Sequence, residues 1–316
     1  MEIIAKTGKE GLASVYLAKT TQGKLIEFVE SIQPPLSREE KWVLIVSTLY
    51  GCPVGCGFCD AGDHYHGKIS KEDLINQIDY LIKLHYPEGH VPAKKFKIQF
   101  ARMGEPSFNP AVLEVLESLP EMYQIPGFVP SISTVAPNGT DAFFDKLMET
   151  KKAQYRSTFQ LQFSIHTTDP QKRNWLIPIK TWSFGRIAKY GERFYDEGGK
   201  KITLNFVLSD ELPFDANMLS KYFSPAYFII KLSPLNPTFN ARKNQMHSAI
   251  HKRQKPEAMD ILTALGYEVI LNIGEWEENK IGSNCGQYVS TLNRELNSIS
   301  NAYTYPLQKT NPEHKI

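Results

Sequence analysis

Three of the four cysteines fall within eight residues, Cys52-Pro-Val-Gly-Cys56-Gly-Phe-Cys59, and Cys285 stands alone far downstream. The spacing C-x3-C-x2-C, with Phe58 just before the third cysteine, sets three thiolates on one tight loop. Such a loop can hold three irons of a cubane cluster and leave the fourth iron without a protein ligand. The glycines at 55 and 57 let the backbone wrap closely. The alternative is a structural zinc site, with His64 or His66 as fourth ligand. Zinc sites usually pair C-x2-C units, and no second pair exists here.

The elements that must position this loop follow from periodicity. Trp42–Thr48 reads as a buried strand that runs straight into the cysteines. Ser70–Lys83 reads as a helix, with Ser70 and Asp73 as a capping box. Strands are expected at Phe96–Phe100, Val129–Val135, Phe159–Ile165, Lys201–Leu208, Phe228–Ser233 and Glu268–Ile273. Helices are expected from Asn109-Pro110, over Asp141–Glu149, Phe184–Tyr195 and Asp215–Tyr222, and from Pro256 to Leu265. Repeated strand-then-helix units imply parallel strands with right-handed crossovers. The fold class is therefore α/β, a partial (β/α)6 barrel over 41–275. A doubly wound open sheet is the rival, but no glycine-rich phosphate loop follows the first strand. A β-rich extension is expected over 1–40, from Ser14–Leu17, Leu25–Val29 and a turn at Gln22-Gly23, and a polar tail with Cys285 over 276–316. In such barrels the chemistry sits in loops that follow the strands, which is where the cysteines are.

Composition excludes other classes. With 41% hydrophobic and 22% charged residues the chain is neither disordered nor fibrous. A balance of 36 Lys+Arg against 34 Asp+Glu gives no global electrostatic case for nucleic acid or membrane. Clustered thiols in a long chain point to a reducing compartment. With no apolar signal core and no run near about 18 apolar residues, a cytoplasmic protein without membrane contact is expected. A local basic run, Arg242-Lys243, His247, His251-Lys252-Arg253 and Lys255, suits either phosphates at the barrel mouth or a solvated face. Trp175 and Trp182 read as core or rim residues.

The cysteine loop with its aromatic resembles the radical S-adenosylmethionine (SAM) superfamily. A narrower resemblance runs in register over roughly 25 to 290, to the RlmN/Cfr family of radical-SAM adenine methylases. Its carriers are Ser47 to Gly62 around the cluster, Met103-Gly104-Glu105-Pro106, Ser131-Ile-Ser133-Thr-Val, Phe163-Ser164-Ile165-His166, Trp175-Leu-Ile-Pro178-Ile, Leu232-Ser-Pro-Leu-Asn236-Pro237 and Asn284-Cys285-Gly286-Gln287-Tyr288.

The resemblance implies a [4Fe-4S] cluster on Cys52, Cys56 and Cys59, with SAM as second cofactor and a flavodoxin or ferredoxin as electron donor. Gly104 and Glu105 would hold the methionine amino group of SAM, a carboxylate pairing with an ammonium. Phe58, Ser133, Ser164, His166 and Asn236 would be further cofactor contacts. Cys285 would be methylated, and its methyl group would be delivered to an sp2 carbon of RNA, a peptide or a small molecule. Glu27, in Leu25-Ile-Glu27-Phe-Val, matches a family motif whose acid acts as a base; without the resemblance it reads as an exposed strand carboxylate. Three departures stand out. The family's second, product-releasing cysteine belongs seven residues before Cys52, and that residue is Ile45. Only about 25 residues precede the Glu27 strand, where these methylases carry a helical RNA-binding domain. A basic residue expected before the last loop is replaced near Asn272. The rival readings are a radical-SAM enzyme using only the deoxyadenosyl radical, and a zinc-binding interaction protein. Oligomeric state is not encoded in these motifs.

Overall fold

The computed structural model describes residues 1–63, 65–250, 256–272, 276–284, 287–293 and 303–310. Its frame is one sheet of eleven strands. The first three, β1 (Glu2–Lys9), β2 (Ala13–Lys19) and β3 (Leu25–Ile32), form an antiparallel meander. β3 pairs antiparallel with β4 (Trp42–Val46), so the meander continues directly into the barrel. From β4 onward every neighbour is parallel and in chain order: β5 (Phe96–Phe100), β6 (Phe128–Thr134), β7 (Gln160–Ser164), β8 (Ile202–Leu208), β9 (Phe228–Pro234) and β10 (Val269–Leu271). This is the expected α/β partial barrel, with β10 as a seventh parallel strand.

Helices α1 (Lys71–His85), α2 (Ala111–Met122), α3 (Asp141–Thr150), α5 (Phe184–Phe194), α6 (Ala216–Ser220) and α8 (Glu257–Ala264) cover the outer face, while α4 (Pro170–Leu176) and α7 (Phe239–Lys243) pack at the end of the barrel that carries the cysteine loop. The caps read from sequence form as expected. Ser70 accepts a hydrogen bond from Asp73 N at 3.1 Å, and the Asn109 side chain accepts from Ala111 N at 3.2 Å. The period-two pattern of the strands divides two environments. In β5, Phe96, Ile98 and Phe100 are buried against the helices, while Lys97 and Gln99 point into the lumen. The lumen side of β6, β7 and β8 is polar as well. Gln99 donates to Ser133 Oγ (3.1 Å), Gln162 to Ser131 Oγ (2.9 Å), and Asn205 to Gln162 (3.4 Å). A closed barrel fills this space with branched apolar side chains; here a chamber of about 450 Å³ remains.

Two sequence expectations need correction. The segment beyond 275 is not a polar tail. It forms α9 (Trp276–Ile281), α10 (Tyr288–Asn293) and β11 (Gln308–Lys309), which pairs with β1. Ile281 and Tyr288 pack with Val15, Leu17 and Val29 on the face of the meander that continues the lumen side of the barrel, where Ile45 also joins them, so few apolar residues, well spaced, suffice to dock the segment. Glu27 is not an exposed strand acid either. It is fully buried and paired with Arg102, whose Nε donates to Glu27 Oε1 at 2.8 Å. Among the described residues no helix is long and apolar enough to cross a membrane.

Breaking a buried pair strands a charge, so Arg102→Met is expected to lose about 3–5 kcal/mol. The double variant Glu27→Leu with Arg102→Met should recover most of that. Urea denaturation of the three proteins checks this: equal losses in the single and double variants would contradict it.

Candidate active site

The cysteine loop leaves the C-terminal end of β4 and is held by backbone bonds, not by packing alone. Cys52 N donates to Ala61 O (2.7 Å), Cys59 N to Cys56 O (2.9 Å), and Gly57 N to Leu176 O at the end of α4 (2.8 Å). Gly51 and Gly55 adopt φ of +78° and +67°, which lets the chain fold back on itself. The segment after β9 supplies the rest. Thr238 Oγ1 donates to Phe58 O (2.6 Å), Asn240 Nδ2 to Cys59 O (2.9 Å), and Asn244 Nδ2 to Gly57 O (2.6 Å). Asp60 is fully buried and accepts from Phe239 N (3.1 Å), Asn240 N (2.9 Å) and Tyr303 Oη (3.0 Å).

The three cysteines pack against one apolar shell that includes Val54, Phe58, Val135 and Leu176. Burial, then repulsion from Cys59, Cys52 and Glu105, pushes the Cys56 thiol well above its ordinary value. Burial pushes the Cys52 thiol up to about 11. These sulfurs therefore need a cationic centre to sit there as thiolates. Among the described residues no three His, Cys, Asp or Glu side chains are arranged to hold a single metal ion. The His66 side chain is exposed, and His64 lies outside the described residues. A donor set of three thiols, one for each of three irons, fits a cluster better than one zinc ion, whose ligands converge to about 2.0–2.3 Å from a single centre.

Glu105 follows β5 at the same end of the barrel. Its Oε1 accepts from Ser107 N (3.1 Å), Ser107 Oγ (2.7 Å) and Thr134 Oγ1 (2.5 Å), and Oε2 from Val135 N (2.9 Å). Burial raises its pKa, opposed by those bonds. A carboxylate offers about four lone-pair sites, two on each oxygen, so Oε2 keeps capacity for one more donor. Gly104 has φ of +98°, and a Cβ there would come within 2.5 Å of Leu49; no other residue fits. His166, buried with φ of +65°, accepts from Val207 N through Nδ1 (3.3 Å) and meets Phe58 edge-on at 5.0 Å. Burial, then Arg173, lowers its pKa to about 3, so the ring is neutral. Ser133 and Ser164 are half-buried on the lumen side near the ends of β6 and β7, and Asn236 is half-buried just after β9.

Cys285 lies outside the described residues, but both its flanks are held by one pair of side chains. The Arg102 guanidinium donates to Gly282 O (2.8 Å) and Ser283 O (2.7 Å). On the other side Gln287 Nε2 donates to Arg102 O (3.3 Å), and Val289 N to Glu27 Oε2 (2.9 Å). Arg102 escaped sequence reading, although it directly precedes Met103-Gly-Glu-Pro. So did α4, signalled by the cap Asp169 before Pro170. Of the basic run, Arg242 and Lys243 end α7, His247 pairs with Glu211 (2.9 Å), and 251–255 lie outside the described residues. Trp182 is core and Trp175 is half-exposed on the rim.

A partial barrel with a three-cysteine loop after its first parallel strand is a fold and site similar to those of radical-SAM enzymes. No family model matches the chain. A probable dual-specificity RNA methyltransferase RlmN of Corynebacterium efficiens is 25% identical over 292 residues, covering 88% of this chain and 73% of the relative. A protein of the same name from Rhodococcus opacus is 24% identical, covering 86% and 72%. The crystal structure of a radical SAM methyltransferase from Sphaerobacter thermophilus superimposes with a TM-score of 0.70 at 21% identity, over 91% of this chain and 81% of the other. Over most of its length the chain is thus similar to RlmN-type RNA methyltransferases, and its fold is similar to that of a radical SAM methyltransferase.

His166 yields a pH prediction. Its folded pKa lies below the unfolded value, so the unfolded chain binds the proton first and stability falls with acid. The contribution is complete above about pH 6.5 and drops by about 2 kcal/mol by pH 5. His166→Asn, which tolerates the positive φ, should flatten that slope in anaerobic denaturation between pH 7 and pH 5; an unchanged slope would contradict it.

Proposed function

We propose that this enzyme delivers a one-carbon unit to an sp2 carbon of its substrate through Cys285, which carries the unit as an S-methyl group. The observation that carries the reading is the anchoring of the chain on both sides of Cys285 by Arg102 and Glu27. A residue that accepts a methyl group and then presents it needs a fixed backbone around a reactive tip. Asn284, its neighbour, lines the barrel chamber together with Ile45.

Cys52, Cys56 and Cys59 would hold the [4Fe-4S] cluster, one iron to each thiolate. Glu105 would take the methionine ammonium of SAM on Oε2, with Gly104 allowing close approach. Neutral His166, Phe58, Ser133, Ser164 and Asn236 would contact the remaining parts of SAM. When bound, and with an electron from a flavodoxin or ferredoxin, these groups supply a methyl group and a hydrogen-abstracting carbon radical. The Cys285 thiol gives up its proton and gains the methyl group in a new S–C bond. Loss of one hydrogen atom from that methyl would let its carbon bond to the sp2 carbon of the substrate; the adduct would then give one electron back to the cluster and lose the proton of that carbon, which leaves a thioether. Breaking the thioether requires a second thiol to form a disulfide with Cys285. Ile45 cannot supply it, so the proposal assigns that step to an external thiol. Glu27, bound to Arg102 and Val289, is a positioning residue in this reading. The relatives' names support RNA as one substrate class that offers such a carbon.

The test is anaerobic reconstitution followed by intact and peptide mass spectrometry. Wild-type protein should bind iron, absorb in the visible region and carry a methyl group on Cys285. Cys285→Ser should keep the cluster and lose the methyl. Replacing Cys52, Cys56 and Cys59 with Ala should abolish both. An unmodified Cys285 in cofactor-treated wild type would sink the proposal, and a colourless zinc-loaded protein would sink the enzyme reading with it. With substrate present and no added thiol, a mass adduct on Cys285 is expected, to be released by dithiothreitol.

A further inference from the structure

The lumen of the barrel holds a group of lysines that the reaction above does not use. Lys97 projects inward from the start of β5, and Lys231 from the middle of β9. Lys41 and Lys95, just before β4 and β5, line the same chamber of about 450 Å³. They lie at the opposite end from the cysteine loop. At about 3.3 Å per residue, Lys97 sits roughly 10 Å below the end of its strand. Among the described residues one carboxylate, Glu278, lines the chamber, and it accepts from Ser31 Oγ at 3.2 Å. Lys97 Nζ has neither a hydrogen bond nor an ion pair among the described residues.

Four lysine side chains around one chamber disfavour one another's charged forms. Burial lowers the pKa of Lys97 well below its ordinary value, and Lys231, Lys95, Lys41 and Lys200 lower it further. Burial and Lys95 lower that of Lys41, against the pull of Glu278. A cleft with one sign of charge and low-dielectric walls concentrates the field on an ion of opposite sign. The chamber's volume falls within the range of small-molecule sites, about 300–1,000 Å³.

We propose that this end of the lumen is an anion site that receives the phosphate group of a small phosphorylated substrate, while the reacting carbon faces the cysteine loop. The inference rests on the methylase reading for the role of the opposite end of the substrate, but the anion site stands without turnover. A phosphate monoester matches the chemistry, because a dianion with three acceptor oxygens can pair with several ammonium groups at once. Gln160 and Gln162 on β7, midway between β5 and β9 in the sheet, also line the chamber and offer polar groups to the rest of a ligand.

The experiment is isothermal titration of the anaerobic, cluster-loaded full chain with inorganic phosphate at low ionic strength, with chloride as the reference anion. Saturable phosphate binding is expected. Lys97→Gln should weaken it about tenfold, and Lys95→Ala, at the exposed chamber entrance, should weaken it in the same direction. Lys172→Ala, beside Trp175 on the opposite rim, should leave it unchanged. Because Lys95 is exposed, that variant reads the site even if Lys97→Gln does not fold. No saturable binding, or equal binding in wild type and the folded lysine variants, overturns the proposal. So does tighter binding, at the same lysines, of a long RNA without terminal phosphates, which would assign the lumen to a polynucleotide. Cys285→Ser should bind phosphate like wild type, so loss of methylation and loss of the anion site are separate results.

Discussion

The buried pair of Glu27 and Arg102 is the interaction on which the arrangement of this enzyme depends. Glu27 sits in the third strand of the N-terminal meander, and Arg102 follows the second strand of the barrel. Neither side chain has meaningful exposure, and each spends its remaining capacity on the segment that carries Cys285. A carboxylate or a guanidinium alone in that setting would be strongly unfavourable. Each is tolerable because the other is present, and because the backbone groups around Cys285 complete their hydrogen bonding. The three parts of the chain therefore meet at one point for electrostatic reasons, and the described residues on either side of the proposed methyl carrier are anchored there.

The cysteine loop shows the same logic at the other end of the barrel's chemistry. A loop that must present three sulfurs in one direction cannot form a helix or strand, so its backbone groups need outside partners. Leu176, Thr238, Asn240 and Asn244 supply them, from segments more than a hundred residues away. Asp60 ties the far end of the loop to the start of α7 and to Tyr303. The loop is thus shaped by hydrogen bonds from distant parts of the same chain.

The lumen sets this barrel apart from a closed one. Where eight strands close fully, inward side chains fill the space. Here inward positions carry Lys97, Gln99, Ser131, Gln160, Gln162 and Thr203, while alternate residues of the same strands are as apolar as any core. The polarity is carried residue by residue in a period of two. It makes the chamber a place for polar ligands between a proposed cofactor mouth and a basic floor.

Much of this was legible in the sequence. The parallel strands from 42 to 271 appeared within a few residues of their positions, because alternation between two chemically distinct faces is strictly local information. The capping of α1 by Ser70 and the glycines of the cysteine loop are local in the same sense. β1 was not legible, since its alternation in Glu2–Lys9 is made with small and polar residues whose burial depends on β2 and β11. The docking of 276–293 was also hidden, because Ile281 and Tyr288 are isolated apolar residues until the meander provides a surface. By itself the sequence determined the fold class, the three-cysteine loop and the resemblance to RlmN/Cfr-type methylases, which rest on residue type and spacing. Only the tertiary structure decided that Glu27 pairs with Arg102, that this pair grips both flanks of Cys285, and that four lysines share one chamber. Those facts depend on which distant residues become neighbours, and burial changes the energy of a charge far more than its place in the chain reveals.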